Sequence, residues 1–320
     1  MDNAAARKPS VSIICPVYNE DQSIPLFFDR LMTVIGPLRE TFDFELIFMN
    51  NASTDGSLDA IAQIRRSHDW VHVITLSRNF GYQASLTCGL TNASGDASIF
   101  IDVDCEDPPE MIPTFLDHWQ RGFDIVYGQR VARPESAVLV AARKVFYRLT
   151  RLIADNDFIL DMAEFALMNS RVRQVCLNNR STYPFIRNEI AYAGFRRHAI
   201  PFERQTRVAG TTHYNLVRMT TFAIAGILSA STFPLRLAAY IAAVLVPLNL
   251  LAALLCLFGG VSDLKWLEHL NWAATILSVG SIALFVARIY KNGINRPLYV
   301  IDQQQTAFPR ATLDHGELRN

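Results

Sequence analysis

The chain has 320 residues, half of them hydrophobic, and its 30 Lys and Arg are balanced by 30 Asp and Glu. That length supplies one large domain or two with ample core, and a formal charge of zero gives none of the basic bias of a nucleic-acid binder. The five cysteines (15, 88, 105, 176, 256) are odd in number and lack metal-type spacing, which predicts reduced thiols.

Residues 1–10 are polar and carry no apolar stretch of a cleaved secretory leader. From 11 to 128, short β-branched runs alternate with amphipathic segments of helical length. Strands are expected at 11–15, 44–49, 71–76, 97–102 and 124–128, and helices at 24–35, 58–66, 83–92 and 109–120. This order predicts an α/β fold: a largely parallel sheet with helices on both faces. Ligands of such sheets bind beyond the carboxyl ends of the strands.

The first strand runs into Pro16-Val17-Tyr18-Asn19-Glu20. Pro16 and Tyr18 are candidates to shape a slot for a nucleotide base, and Glu20 to accept hydrogen bonds from ribose hydroxyls. A plain strand-to-helix turn explains the same residues. The second strand ends in Asn50-Asn51-Ala52-Ser53-Thr54-Asp55-Gly56. The Asn50 carboxamide offers donor and acceptor together, which suits a pyrimidine edge. Asp55 either joins the nucleotide site or, like Ser57, caps the following helix.

The fourth strand closes on Asp102-Val103-Asp104, followed by Cys105-Glu106-Asp107-Pro108-Pro109. Four acids within six residues repel one another unless a cation sits among them. Asp104, helped by Asp102, is the candidate ligand for Mg²⁺ or Mn²⁺, hard cations that prefer oxygen and phosphate. Glu106 and Asp107 follow closely enough to add a ligand. Such a metal neutralises charge on a departing nucleotide diphosphate, which makes Asp102 a nucleotide contact as well. Pro109 is suited to the first turn of the next helix.

Residues 129–215 are less regular and rich in arginine. A helix is expected over 137–154, and a charged loop, Pro201-Phe202-Glu203-Arg204-Gln205-Thr206-Arg207, comes later. A phosphate monoester, with a second pKa of ~6, is already largely ionised at neutral pH. It needs cations to place it rather than a base to deprotonate it. Arg130, Arg143, Arg204 and Arg207 are the candidates for that task. Arg130 and Arg143 join Asp102 and Asp104 as the candidate catalytic residues.

The C-terminal third changes character. Residues 237–262 contain no charged side chain, enough to cross a bilayer core of ~30 Å, and Pro247 lies where it would kink them. Residues 270–287 are also uncharged. The two form a hairpin about a loop at 263–269. Arg218 and Arg236 precede it and Arg288, Lys291, Arg296 and Arg310 follow it, whereas the loop holds only Lys265. This bias puts both outer flanks in the cytoplasm. Residues 219–235, uncharged but rich in Ser, Thr and Gly, are read as an interfacial helix on the membrane. The expected units are therefore 1–215, 216–235, 236–290 and 291–320.

The ordered motifs resemble the polyprenyl-phosphate glycosyltransferases of glycosyltransferase family 2, the dolichyl-phosphate mannose synthase-like or bactoprenol type. The carriers are Pro16 to Glu20, Ser53-Thr54-Asp55-Gly56-Ser57 and Ser77-Arg78-Asn79-Phe80-Gly81-Tyr82-Gln83. Next come Asp102 to Pro109, Tyr127-Gly128-Gln129-Arg130, Glu203 to Gly210 and Asn295-Arg296-Pro297-Leu298-Tyr299-Val300. The resemblance implies a GT-A type catalytic domain, a divalent metal, inversion at the anomeric carbon and a cytoplasmic site at a bacterial inner membrane. It also implies a homo-oligomer, a tetramer being one form. Relatives commonly have Asp-Asp-Gly-Ser where this chain has Asn50-Asn51-Ala52-Ser53. They often have Gly-Asp-Phe-Arg-Leu where it has Ala163-Glu164-Phe165-Ala166-Leu167.

The expected activity is transfer of a hexose or modified hexose from a UDP- or GDP-sugar to a polyprenyl phosphate of undecaprenyl type. The alternatives are a processive polysaccharide synthase and a non-catalytic sugar-nucleotide or lipid-phosphate binding partner of a flippase. Gln205-Thr206-Arg207-Val208 lacks the Gln-x-x-Arg-Trp pattern usual in the synthases.

Overall fold

The computed structural model describes residues 7–131, 159, 162–179, 181, 184–207, 231–258, 264–309 and 313. Its centre is a seven-stranded sheet of order β3-β2-β1-β4-β6-β5-β7. The strands are β1 (Ser10–Val17), β2 (Asp43–Asn50), β3 (Val71–Thr75), β4 (Ala97–Phe100), β5 (Ile125–Arg130), β6 (Met162–Asn169) and β7 (Arg197–Phe202). Pairing is parallel except where β6 lies antiparallel between β4 and β5. The expected α/β class and mostly parallel sheet are thus present, and β6 makes the sheet mixed.

Helices α1 (Ser23–Ile35), α2 (Ser57–Arg65), α3 (Tyr82–Asn92) and α4 (Ile112–Gln120) follow the first four strands; α5 (Ser170–Leu177) and α6 (Ile186–Ala193) follow β6. Alternation along each strand feeds two apolar layers. Ile13, Cys15 and Val17 meet Phe27, Leu31, Phe48 and Phe115 on one face. Ile14, Ile47 and Met49 meet Leu86 and Leu90 on the other. In α1, Ile24, Phe27, Phe28, Leu31 and Ile35 recur at helical spacing and are buried. Each such side chain contributes roughly 1.5–3 kcal/mol. Gly89 lets α3 approach β1: a Cβ there would stand 2.4 Å from Ile14 Cγ2.

Several boundaries differ from the sequence reading. β4 stops at Phe100, so Asp102 lies in the loop past the strand, although Ile101 N still donates to Ile14 O at 3.2 Å. The helix expected from 109 opens with a 3₁₀ turn, Pro109–Met111, before α4. β6 and β7 fall in the stretch read as irregular. The helix expected over 137–154, with Arg143, lies outside the described residues, as do residues 219–230 of the expected interfacial helix.

The apolar C-terminal segments form α7 (Phe233–Leu257) and α8 (Lys265–Gly293), each long and apolar enough to cross a membrane. α7 runs through Pro247 as one helix. α8 already begins at Lys265, inside the stretch 263–269 expected as the loop. Asn249 and Asn271 exchange carboxamide hydrogen bonds at 3.0 and 2.9 Å between the two helices. Beyond α8 the chain returns to the sheet. Val73 and Leu76 bridge antiparallel to Ala307 and Ile301, and Ser77 N donates to Val300 O at 2.8 Å. This strap covers the β3 edge, which would otherwise offer unpaired backbone groups. Its Tyr299 is 2% exposed.

Candidate active site

β1 pairs with β2 on one side and β4 on the other, so the chain order reverses at β1/β4. That switch point is where an open α/β sheet has its binding crevice. The loops after β1, β2 and β4 meet there, and each carries a non-glycine residue in the left-handed region: Asn19 (φ 56), Ala52 (φ 57) and Cys105 (φ 57). Such conformations cluster at sites where the surroundings over-determine them.

The donor-side loops are tied by side chains. Asn19 Oδ1 accepts from Thr54 N at 2.8 Å, and Ser53 Oγ accepts from Asn19 N at 3.1 Å. Asp55 accepts from Ser57 N at 3.0 Å and Asp21 N at 3.2 Å. Burial alone would raise its pKa; these bonds outweigh burial and hold the carboxyl below its ordinary value. Asn50 is 1% exposed. Its Oδ1 accepts from Ser53 N at 3.0 Å and its Nδ2 donates to Thr75 Oγ1 at 3.4 Å. Thr75 Oγ1 in turn donates to Gln305 O in the strap at 2.9 Å. Asn50, read as a base contact, therefore has both ends of its carboxamide engaged in holding loops together. Asn51 does likewise, accepting from Phe80 N at 2.9 Å and donating to Asn79 Oδ1 at 3.0 Å. Tyr18 is 38% exposed beside this crevice, and Pro16 sits in β1 opposite Met49.

The acidic loop is mostly buried: Asp104 and Asp107 are 5% and 1% exposed. Burial, with repulsion from Asp104 and Asp107, pushes the Asp102 carboxyl up to about 7. Asp102 Oδ1 accepts from Tyr82 Oη at 2.8 Å. Asp107 Oδ1 is buried without a hydrogen-bond partner among the described residues. Mutually repelling carboxylates and an orphaned oxygen are a donor set that fits a hard cation. Among the described residues, no three His, Cys, Asp or Glu side chains are arranged to hold a metal alone. A cation here would keep few protein ligands and complete its shell with phosphate oxygens and water, as Mg²⁺ commonly does. Glu106 turns to Arg204 in an ion pair.

The basic residues converge on this loop. Arg207 reaches Asp104 Oδ2 through Nη2 at 3.1 Å and Nε at 3.3 Å, and Glu20 Oε1 through Nη2 at 3.0 Å. Glu20, read as a ribose contact, thus faces an arginine and also accepts from Ser23 Oγ at 2.8 Å. Arg130, at the end of β5, stands 3.7 Å from Asp107 Oδ2. Arg30 grips Glu110 through two 2.6 Å bonds and Gln205 Oε1 at 2.9 Å. Gln205 N donates to Glu106 O at 2.9 Å. Of the anion-binding candidates, Arg130, Arg204 and Arg207 share the site.

Tyr82, Gln83 and Glu164 were absent from the candidates. Glu164, on β6, accepts from Arg187 Nε at 2.8 Å and Gln83 Nε2 at 3.2 Å, and its Oε2 is buried with no hydrogen-bond partner among the described residues. Its signal was a lone acid in the apolar run 162–168. Ala166 pairs with Phe100 and Tyr127 and is fully buried.

A sequence profile described as Glycosyl transferase family 2 matches residues 12–177. The uncharacterized glycosyltransferase YkcC of Bacillus subtilis (strain 168) is 32% identical over 308 residues, 93% of this chain and 95% of that protein. The SfII prophage-derived bactoprenol glucosyl transferase of Shigella flexneri is 30% identical over 315 residues, covering 93% and 99%. A prophage bactoprenol glucosyl transferase homolog of Escherichia coli (strain K12) is 29% identical over 303 residues, covering 91% and 98%.

Proposed function

The chain belongs to glycosyl transferase family 2 and is a glycosyltransferase; on that premise we propose that it moves a hexose or modified hexose from a UDP- or GDP-sugar to a polyprenyl phosphate of undecaprenyl type. The observation that carries this reading is the convergence of Arg130, Arg204 and Arg207 on the acidic loop of Asp102 and Asp104, where they pair with Asp107, Glu106 and Asp104 respectively. The site thus holds groups for a metal-bound diphosphate and groups for a phosphate monoester. The bactoprenol names of the relatives and the apolar hairpin support the lipid acceptor.

Pro16 at the end of β1, with Tyr18 and Asp55 on loops braced by Asn50, lines the nucleotide side, and Glu20 reaches ribose once Arg207 turns away. Asp104, with Asp102 and Glu106 beside it, would hold Mg²⁺ or Mn²⁺. Bound there, the cation would supply Lewis-acid neutralisation of the leaving diphosphate. Tyr82 fixes the rotamer of Asp102. Arg130, Arg143, Arg204 and Arg207 hold the acceptor phosphate, whose ionised oxygen attacks the anomeric carbon opposite the diphosphate and inverts it. Asp102, Asp104, Arg130 and Arg143 are the proposed catalytic set.

The proposed units remain a catalytic domain over 1–215, an interfacial segment over 216–235, a membrane hairpin and a tail over 291–320. The hairpin keeps its bounds of 236–290, within helices that begin at Phe233 and end at Gly293. The apolar hairpin supports reading this as a multi-pass protein of a bacterial inner membrane, with domain and tail cytoplasmic, and a homo-oligomer such as a tetramer is the proposed assembly.

The test is to incubate membranes containing the enzyme with radiolabelled nucleotide sugar and polyprenyl phosphate, then extract with organic solvent. Label should enter the lipid phase with intact enzyme and be lost with Asp104→Ala. Equal label in both would overturn the proposal.

A further inference from the structure

The carboxylate assigned to a divalent cation and an arginine assigned to a phosphate hold each other. Arg207 sits between the loops after β1 and β4, with Nη2 3.1 Å from Asp104 Oδ2 and 3.0 Å from Glu20 Oε1. The three side chains are 22%, 8% and 10% exposed, respectively. The segment just before it is anchored independently: Gln205 N to Glu106 O, Gln205 Oε1 to Arg30, and Arg204 to Glu106. Arg207 lies two residues past that anchor.

Asp104 Oδ2 takes both Nε and Nη2 of Arg207. A hard cation on the same oxygen would approach to about 2.0–2.2 Å and put two positive charges against the guanidinium. The cation and the guanidinium would compete for that oxygen, since Asp104 Oδ1 already accepts from Glu106 N at 3.0 Å. We infer that Arg207 is a displaceable counter-ion: a cation entering at Asp104 expels the guanidinium, which then becomes a ligand for the phosphate-monoester dianion of the acceptor. This rests on the reading of Asp104 as the cation's carboxylate. It gives the enzyme an order of assembly, with the acceptor's arginine released by loading of the donor side. By linkage the coupling runs both ways: a dianion that draws Arg207 away also frees Asp104 for the cation.

The experiment titrates Mn²⁺ into the full-length, detergent-solubilised protein and reads free Mn²⁺ by electron paramagnetic resonance. Titrations run with no addition, with inorganic phosphate, and with a short isoprenyl monophosphate. In the wild type the isoprenyl monophosphate should tighten Mn²⁺ by about tenfold, within the usual span of coupled sites. Arg207→Gln should bind Mn²⁺ more tightly than the wild type without phosphate, and phosphate should no longer change its affinity. Arg121→Gln, which removes an arginine charge outside the site, where it pairs with Asp117, should keep the coupling. Arg207→Lys, a less perfect plug, should fall between, and thermal unfolding checks that each variant is folded. Equal coupling in Arg207→Gln and the wild type would overturn the latch alone. Unchanged Mn²⁺ binding in Asp104→Asn would instead overturn the metal reading beneath it. Inorganic phosphate reproducing the whole effect would support the latch and assign it to the free dianion rather than a lipid headgroup.

Discussion

Tyr82 donates its phenolic hydroxyl to Asp102 Oδ1 at 2.8 Å, linking the start of α3 to the acidic loop after β4. Burial first, and the Asp102 charge second, raise the Tyr82 pKa well above that of an ordinary phenol, so it stays a donor. Gly81, at φ 95, makes the turn that aims it. Tyr82→Phe keeps the ring and removes only that bond. A hydrogen bond to a charged group is worth roughly 1.5–3 kcal/mol, so kcat/KM for the nucleotide sugar should fall by about tenfold or more. An unchanged value would show that Asp102 is oriented without Tyr82.

Ala52 occupies the left-handed region at φ 57. A Cβ there costs about 1–2 kcal/mol, against an added chain entropy of roughly 0.5–1 kcal/mol for glycine. Ala52→Gly should therefore raise the unfolding midpoint slightly, with a net gain of up to about 1 kcal/mol. Calorimetry decides it; a fall in the midpoint would show that the strain is relieved elsewhere.

Thr75 joins the strap to the donor loops, accepting from Asn50 Nδ2 and donating to Gln305 O. Thr75→Val keeps the shape and strands both partners, which should cost about 1–3 kcal/mol. The donor KM should rise as well, because Asn50 also holds Ser53. Chemical denaturation with donor titration reads both effects.

Asp96 ties β1 to the turn before β4. Hydrogen bonds from Ser10, together with Arg7, hold its carboxyl below the ordinary carboxylate value. A depressed folded pKa stabilises the protein above the unfolded pKa, and that contribution is lost as pH falls through the folded value. Asp96→Asn should thus be less stable than wild type at neutral pH. Because Asp96 is 47% exposed, the difference should stay below about 1 kcal/mol. It should close as the solution is acidified below the carboxylate range. A gap that persists there would mean that packing, not charge, is responsible.

The first five strands were legible because β-branched runs such as Ile13-Ile14 end in Pro, Asn or Asp, and because α1 repeats its apolar residues at helical spacing. β6 was not: Met162 to Met168 lacks β-branched residues and carries Glu164, whose charge is tolerated only because Arg187 and Gln83 meet it from α6 and α3. The acidic loop and most of its arginines could be read from composition at strand ends. That these groups pair with one another could not, since nothing local in the sequence brings Arg207 to Asp104. The bracing role of Asn50 was hidden for a related reason. A carboxamide at a strand end looks like a ligand contact, and its partner Thr75 comes from the neighbouring strand β3, where it is in turn tied to Gln305 of the strap.

Everything about the chemistry depends on a cation at the acidic loop. The direct measurement is anomalous diffraction at the manganese edge from crystals soaked with Mn²⁺ and nucleoside diphosphate. The account predicts one peak bonded to the Asp104 carboxylate and to diphosphate oxygen, with Arg207 withdrawn. Bound nucleotide with no peak at this loop, and Arg207 still seated on Asp104, would contradict it.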